Sequence, residues 1–590
     1  MFVLPPPPKY GNAGAPGALL ETNNLLEHPT GPEFQLVVGE GTYTLTDELL
    51  LATPPPHPSD APQPNNNPLA TTIGPQSAGT KLSLATLSPS RWPTHRQSRG
   101  HGAWHPIPPS IQEEAQSPRG DAAPPANGGL FGSATYYSST VGFGESNPAL
   151  QVVAAPVKGN KKDQKLKPKN NIIKSNSSYV SRVIPHDNLP KRLAEHSPDG
   201  LYAFANINRA FVWLDLSAEA KTENMTKVLF TKAHVLCHDV NAWTKSGSHL
   251  DIVMGFNTGD VIWYEPMSQK YARLNKNGAI NASPIQCIAW LPHKENLFIA
   301  AHTDGTLVVY DKDKEDTAFT PEDGLPTDHA HVDGGQKPAF RIQKSVQSPN
   351  QKSNPVAAWS VSNMRINGIA FAPDGQSLAV VCEDGTLTIL DYINERVIGV
   401  YRSYYGAMLC VTWSPDGRYV LTGGQDDLVS IWSLVDQALV ARCVGHESWV
   451  TDVKFDPWRC DERNYRFGSI GEDCRLLLWD FSVGMLRRPN VRNRGSFSTH
   501  VSANRKESAN TVNRIRSNSS REPADGVEIK GDGEVVHAVD SKATVAVLPP
   551  VMSKSVDEHP LCWLGFEEKC ILASCKDGNN ARLAGVCIVC

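Results

Sequence analysis

The chain has 590 residues, and apolar residues make up 40 % of it, slightly below the share of about 45–50 % usual for globular proteins. Of its 45 prolines, 24 fall within the first 150 residues, whereas 11 of its 13 tryptophans lie between Trp213 and Trp563, so order and disorder are expected in different stretches. A net charge of −5 argues against a chain that binds nucleic acid along its whole length, and there is no apolar window of about 18 residues that could cross a membrane as a helix.

Residues 1–156 are rich in Pro, Ser, Asn, Ala and Gly, too poor in apolar side chains to offset the cost of ordering, and read as a mostly disordered arm. One island differs: FQLVVGEGTYTLTDELLLA, residues 34–52, places two β-rich runs around Gly39-Glu40-Gly41 and suits a hairpin or a docking segment. The start, Met1-Phe-Val-Leu and four prolines, lacks the basic and apolar regions of a secretion signal. Cys287, Cys382 and Cys410 sit inside apolar runs, the pattern of reduced thiols, so a cytoplasmic location is expected, with the nucleus left open. Residues 157–198 form a basic linker into the folded part; KGNKKDQKLKPKNNIIK, residues 158–174, fits either a nuclear-import signal or solvated chain.

The remainder repeats itself. An aromatic-Pro turn, an apolar strand, an Asp-Gly turn and a strand ending in an aromatic residue recur from Phe371, Trp413 and Phe455, with starts 42 and 42 residues apart, although the second and third copies read Asp-Asp and Asp-Cys at the turn. That is the period of a four-stranded propeller blade. A copy from Trp290 precedes these by 81 residues, which implies a polar insertion at about 312–360. Two weaker copies begin near Gly200 and Val235, and a broken one near Cys562, giving seven. The expectation is an all-β, seven-bladed propeller: blades 1–6 over 199–484, a basic, Ser-rich disordered loop over 485–545, and an incomplete last blade over 546–590. Closing seven blades into a ring removes exposed sheet edges.

The best copy holds a polar set: His446, Ser469, Asp473 and Trp479. Asp473 precedes Trp479 by six residues across a tight turn, so carboxylate, imidazole, hydroxyl and indole N–H can satisfy one another inside an apolar blade. His446 is therefore read as architectural, as are Asp304, Asp384, Asp426 and Asp577 at the same turn position. These repeats resemble the WD-repeat proteins. In the basic loop, Arg487 to Arg521 carries nine Lys/Arg and one Asp/Glu, and Ser517, Ser519 and Ser520 suit either phosphorylation or plain linker. In the last copy Leu583 falls where the template calls for Trp. Five of the twelve cysteines crowd between Cys562 and Cys590, but Cys587-x-x-Cys590 supplies only two of the four ligands of a structural zinc.

Phosphate loops, zinc-protease His pairs and a nucleophile elbow are absent by spacing. Asp311, Asp313, Glu315 and Glu322 approximate a calcium loop, but Asp316 replaces the required Gly. No catalytic, cofactor or metal residues are therefore assigned, and no small-molecule substrate. The candidate binding residues are Tyr404 and Tyr405 in the loop before blade 5 and Trp449 before blade 6, because exposed aromatics at loop tips give large rigid contact area. Packing between blades is the competing reading, and Trp458 and Arg459 lie towards the other face.

Several longer strings, among them VGEGTYTL, KPKNNIIKS, FANINRAFVWLDLS, RSYYG, TGGQDDLVSIWSL and DPWRCDERNYRFGSIGEDCRLLLWDFSVGML, resemble the CreC family, the fungal WD-repeat proteins of carbon catabolite repression. The resemblance implies a non-catalytic partner that binds and stabilises or activates a ubiquitin-specific protease, a CreB-like deubiquitinase. It also implies that the loops holding Tyr405 and Trp449 make the contact. The C-terminus departs from the family, which normally completes its last blade. Two other readings compete: a substrate receptor of a ubiquitin ligase, and a nucleic-acid-associated factor using the basic linkers.

Overall fold

The computed structural model describes residues 45–52, 79–87, 147, 149–150, 167–174, 177–197, 199–320, 340–345, 351–486, 527–529, 535–537, 539–540, 545–575 and 583–589. Each recurring unit folds as an antiparallel meander. In blade 5 the strands Met408–Trp413, Tyr419–Gly424, Leu428–Ser433 and Ala438–Val444 pair in sequence order. The second and third are buried at every position, because each blade is packed on both faces by its neighbours. Such strands read as near-continuous apolar runs rather than alternating ones.

Seven such sheets, of four to six strands, stand in a circle. Their innermost strands are Lys81–Thr86, Val235–Val240, Ile285–Trp290, Ile366–Phe371, Met408–Trp413, Val450–Phe455 and Leu561–Phe566, and each touches the next, the last touching the first. A circuit of side-chain donors reinforces this contact. Asn206 Nδ2 reaches Val235 O at 3.0 Å, Cys237 Sγ reaches Ile285 O at 3.4 Å, and Cys287 Sγ reaches Asn367 O at 3.2 Å. Asn367 Nδ2 donates to Met408 O at 2.8 Å, Cys410 Sγ to Val450 O at 3.8 Å, Thr451 Oγ1 to Leu561 O at 2.7 Å and Cys562 Sγ to Thr80 O at 3.3 Å. Every blade thus donates to the inner strand of the following one. Burial pushes the Cys237 and Cys410 thiols up, which keeps them protonated donors rather than nucleophiles.

The ring is closed by chain far from the repeats. Leu45–Ala52 pairs antiparallel with Leu583–Val589 as the fourth strand of blade 7, so the C-terminal segment, one strand short by itself, is completed from the N-terminal island. The other half of that island lies outside the described residues. By register, Val589 opposite Ile571 stands where Trp479 stands opposite Phe467, so Leu583 is not at the tryptophan position. The reason is spacing: seven residues separate Cys575 from Leu583, against three between Gly471 and Arg475.

Four stretches assigned from the sequence to arm, linker, insertion or loop carry blade strands. Lys81–Thr86, within the Pro-rich arm, is the inner strand of blade 1, where Leu82 and Ala85 are buried. The basic linker adds Val180–Pro185 to the outside of blade 1 and Asn170–Asn171 to that of blade 2, followed by the helix Leu189–Glu195. The polar insertion ends earlier than its composition implies, because Ala357–Ser360 is the fourth strand of blade 3 and Arg341–Ser345 lies outside it. The 485–545 loop contributes a hairpin, Val527–Ile529 with Val535–His537, to the outer edge of blade 4. Ala546–Leu548 then joins the edge of blade 5 and Met552–Ser555 completes blade 6. Edge positions tolerate polar sequence, since one face is solvated, and this is why composition misplaces them. Ser517, Ser519, Ser520 and the lysines of 158–166 lie outside the described residues.

Candidate functional site

In an antiparallel meander, the turn between the second and third strands and the loop leading to the next blade emerge on one face. Blade 6 shows how that face is built. His446 Nδ1 lies 2.8 Å from Asp473 Oδ2, His446 Nε2 lies 2.7 Å from Ser469 Oγ, and Trp479 Nε1 donates to the same hydroxyl at 2.8 Å. Asp473 also accepts the backbone N–H groups of Glu447 and Arg475. Burial pushes its carboxyl up, but the His446 hydrogen bond and charge and these N–H donors outweigh that and leave it below the ordinary value. His446 and Trp479 are buried, so all four residues fasten the loop to the blade and none is presented to a substrate.

The histidine stands four residues before the inner strand of its blade. Asn281 and Ser362 hold that position in blades 3 and 4, and each donates to the turn aspartate of its blade: Asn281 Nδ2 to Asp304 at 2.9 Å, Ser362 Oγ to Asp384 at 2.8 Å. In blade 5 the position belongs to Tyr404. The indole half of the set is kept, with Trp432 Nε1 donating to Thr422 Oγ1 at 2.9 Å. The ring of Tyr404 is instead 40 % exposed and lies under the guanidinium of Arg442, 4.7 Å from its centroid. Without an imidazole, burial lifts the Asp426 carboxyl to about 6 against the Leu428 N–H, the Arg442 charge and the Tyr404 N–H.

Next to it Tyr405 is 74 % exposed, the most exposed of the large apolar side chains among the described residues. Its loop is a tight turn. Ser403 Oγ donates to Gly406 O at 2.7 Å, Ser403 N to Gly385 O at 2.8 Å and Ala407 N to Gln425 Oε1 at 3.0 Å. Gly406 has φ +65 and Gly385 has φ +76; a Cβ on Gly385 would meet Gly406 O and Ser403 Oγ, each at 2.5 Å. These contacts hold the tyrosine tips out on a rigid base.

Trp449, 42 % exposed, occupies the corresponding loop of blade 6, and its carbonyl accepts Glu472 N at 2.9 Å. The structure therefore places Tyr404, Tyr405 and Trp449 on one face in two consecutive loops. Sequence reading missed Met364 in the preceding loop, 50 % exposed, and Val444, 49 % exposed, which extend the apolar row. Counting back from each inner strand would have found Met364. Val444 ends the fourth strand of blade 5, one residue past those that pair with Ala546–Leu548, and no local pattern reveals its exposure. Trp458 and Arg459 lie on the opposite side, where Arg459 Nη1 pairs with Asp456 at 2.9 Å. That side also holds a cavity of about 550 Å³ lined by Trp413, Pro415, Phe455, Pro457 and Trp563. Among the described residues no group of three or more His, Cys, Asp or Glu is arranged to hold a metal ion, and no helix is long and apolar enough to cross a membrane.

Comparison with known proteins agrees with this architecture. Residues 351–416, the fourth strand of blade 3, blade 4 and the start of blade 5, match the family model of the anaphase-promoting complex subunit 4 WD40 domain. The UBP9-binding protein bun62 of Schizosaccharomyces pombe is 38 % identical over 406 residues, covering 68 % of this chain and 74 % of that protein. The chain belongs to the WD-repeat family of that UBP9-binding protein. In this chain the blades share one frame, and what differs from blade to blade is the loop chemistry just described.

Proposed function

We propose that this WD-repeat protein is a non-catalytic platform that binds a ubiquitin-specific protease through the Tyr404, Tyr405 and Trp449 face and stabilises or activates it. The observation that carries the reading is the 38 % identity to a protein whose name records binding to UBP9, in a chain that exposes a row of aromatic tips on one rigid face. Large rigid aromatics on a fixed backbone lose little entropy on association, which is what an interface anchor needs. His446, Ser469, Asp473 and Trp479, the obvious polar cluster of that face, are engaged with one another in fastening the loop.

The finer reading is a CreC-like protein whose partner is a CreB-like deubiquitinase acting in carbon catabolite repression, located in the cytoplasm. It rests on the sequence strings quoted above. Affinity purification of the full chain from cells on repressing and derepressing carbon sources, followed by a ubiquitin-cleavage assay on the bound fraction, tests it. Recovery of a cysteine-protease activity that cleaves ubiquitin chains is the expected result. Co-purification of a cullin adaptor without such activity, or salt-sensitive retention on nucleic acid alone, would replace it with the ligase or nucleic-acid reading.

A further inference from the structure

The insertion between the third and fourth strands of blade 6 does not stay beside blade 6. It first pairs Val536 with Val400 on the outer strand of blade 4, then Ala546–Leu548 with Ala441–Cys443 on the outer strand of blade 5, and only then completes its own blade. This strap touches both sides of the loop that carries Tyr404 and Tyr405. On one side the His537 ring stacks on Tyr401 at 4.5 Å and 4° between planes, and Tyr401 in turn lies 5.4 Å from Trp432 of the blade 5 polar set. On the other, the Asp540 carbonyl accepts Arg442 Nη2 at 2.7 Å, and that guanidinium covers the Tyr404 ring. Arg442 is buried, and its Nε and Nη1 have no hydrogen-bond partner among the described residues. Its place is set by the carbonyl and the charge of Asp540 in the strap, the Tyr404 face and the charge of Asp426.

We infer that the strap is the positioning element of the partner-binding loop: His537 and Arg442 hold residues 403–407 in the conformation that presents Tyr404 and Tyr405. The inference rests on the proposed function for its consequence, but its structural half stands by itself. A flat ring against Tyr401 and a guanidinium over Tyr404 restrict the loop from its two ends. Removing either takes away one of these two restraints and leaves the turn to the other, to its own hydrogen bond and to those with Gly385, Gln425 and Asp426.

The test uses the full chain with His537→Ala, Arg442→Gln and the flat-ring control His537→Phe. Hydrogen exchange is measured over 403–407 and over 466–482, and affinity is measured for the ubiquitin-specific protease recovered with the wild-type chain. His537→Ala and Arg442→Gln should raise exchange at 403–407 by about ten-fold, a change of about 1.4 kcal/mol in local opening, with 466–482 unchanged. Protease affinity should fall about five- to ten-fold in the same variants. His537→Phe should restore both. Unchanged exchange at 403–407 in both variants overturns the inference, as does a loosened loop with unchanged protease affinity. An effect spread equally to 466–482 also overturns it, since the residues would then be merely structural. Loss of the function reading is distinguished by Tyr405→Ala with Trp449→Ala: intact protease binding there removes the partner assignment and leaves the exchange result standing.

Discussion

Blades 5 and 6 are built on one template and put the same position to opposite uses. Four residues before the inner strand, blade 6 has His446, turned inward and bonded to Asp473 and Ser469; blade 5 has Tyr404, turned outward beneath Arg442. The aspartates follow suit, Asp473 held below its ordinary value and Asp426 lifted to about 6. The difference teaches that the loop polar set is a modular latch. Where the first position is His446, Asn281 or Ser362 it binds the turn aspartate of its blade, and in blade 5, where that position is Tyr404, the side chain stands exposed instead.

The widest separation of the two roles comes from association against stability. Tyr405→Ala with Trp449→Ala should weaken binding to the protease by about 4 kcal/mol, roughly a thousand-fold in Kd, with the urea midpoint of the chain unmoved. Isothermal titration together with urea unfolding reads both. His446→Ala should do the reverse, costing about 2–3 kcal/mol of stability because it empties a buried site and takes one hydrogen-bond partner from each of the Asp473 carboxylate and the Ser469 hydroxyl. Tyr404→Ala in the same denaturation series should cost about 1 kcal/mol or less, the value of its cation–π contact.

The two aspartates should also respond to pH in opposite directions. Asp426, raised in the folded chain, contributes stability that is full below its unfolded value near 3.8 and lost as pH rises through about 6. Asp473, depressed, contributes stability present above that unfolded value and lost as pH falls. Asp426→Asn should therefore flatten the decline of stability between about pH 4 and 6, and Asp473→Asn should remove part of the acid-side loss below about pH 4, each measurable by urea unfolding across its own range. The smallest effect sharpens the comparison most. Tyr404→His should rebuild the imidazole–carboxylate latch in blade 5, add about 1 kcal/mol of stability, bring the Asp426 pKa down and weaken protease binding. A titration that leaves Asp426 near 6 in this variant would count against the modular view.

How far the sequence leads depends on where each contact sits along the chain. The hairpins of blades 3–6 are local, so the period of 42 residues, the turn aspartates and the set around His446 can be read directly. Tyr404 falls at the histidine position by simple counting, but the outward turn of its ring depends on Arg442, which lies on a strand of the same blade and takes its bearings from Asp540. The strands Leu45–Ala52 and Lys81–Thr86 pair with chain hundreds or scores of residues away, and their neighbours are Pro- and Ser-rich, so no local period marks them. The strap was hidden for a similar reason: an edge strand is held by backbone hydrogen bonds, which almost any sequence can make.

The central claim is that a protease sits on the loop face of blades 4 to 6. Cryo-microscopy of the full chain bound to the ubiquitin-specific protease recovered with it tests this most directly. Tyr405 and Trp449 should be covered by the protease, with the latch of His446, Ser469, Asp473 and Trp479 intact beneath it. A protease seated instead on the opposite side, over Trp243 and the cavity lined by Trp413 and Trp563, would contradict it.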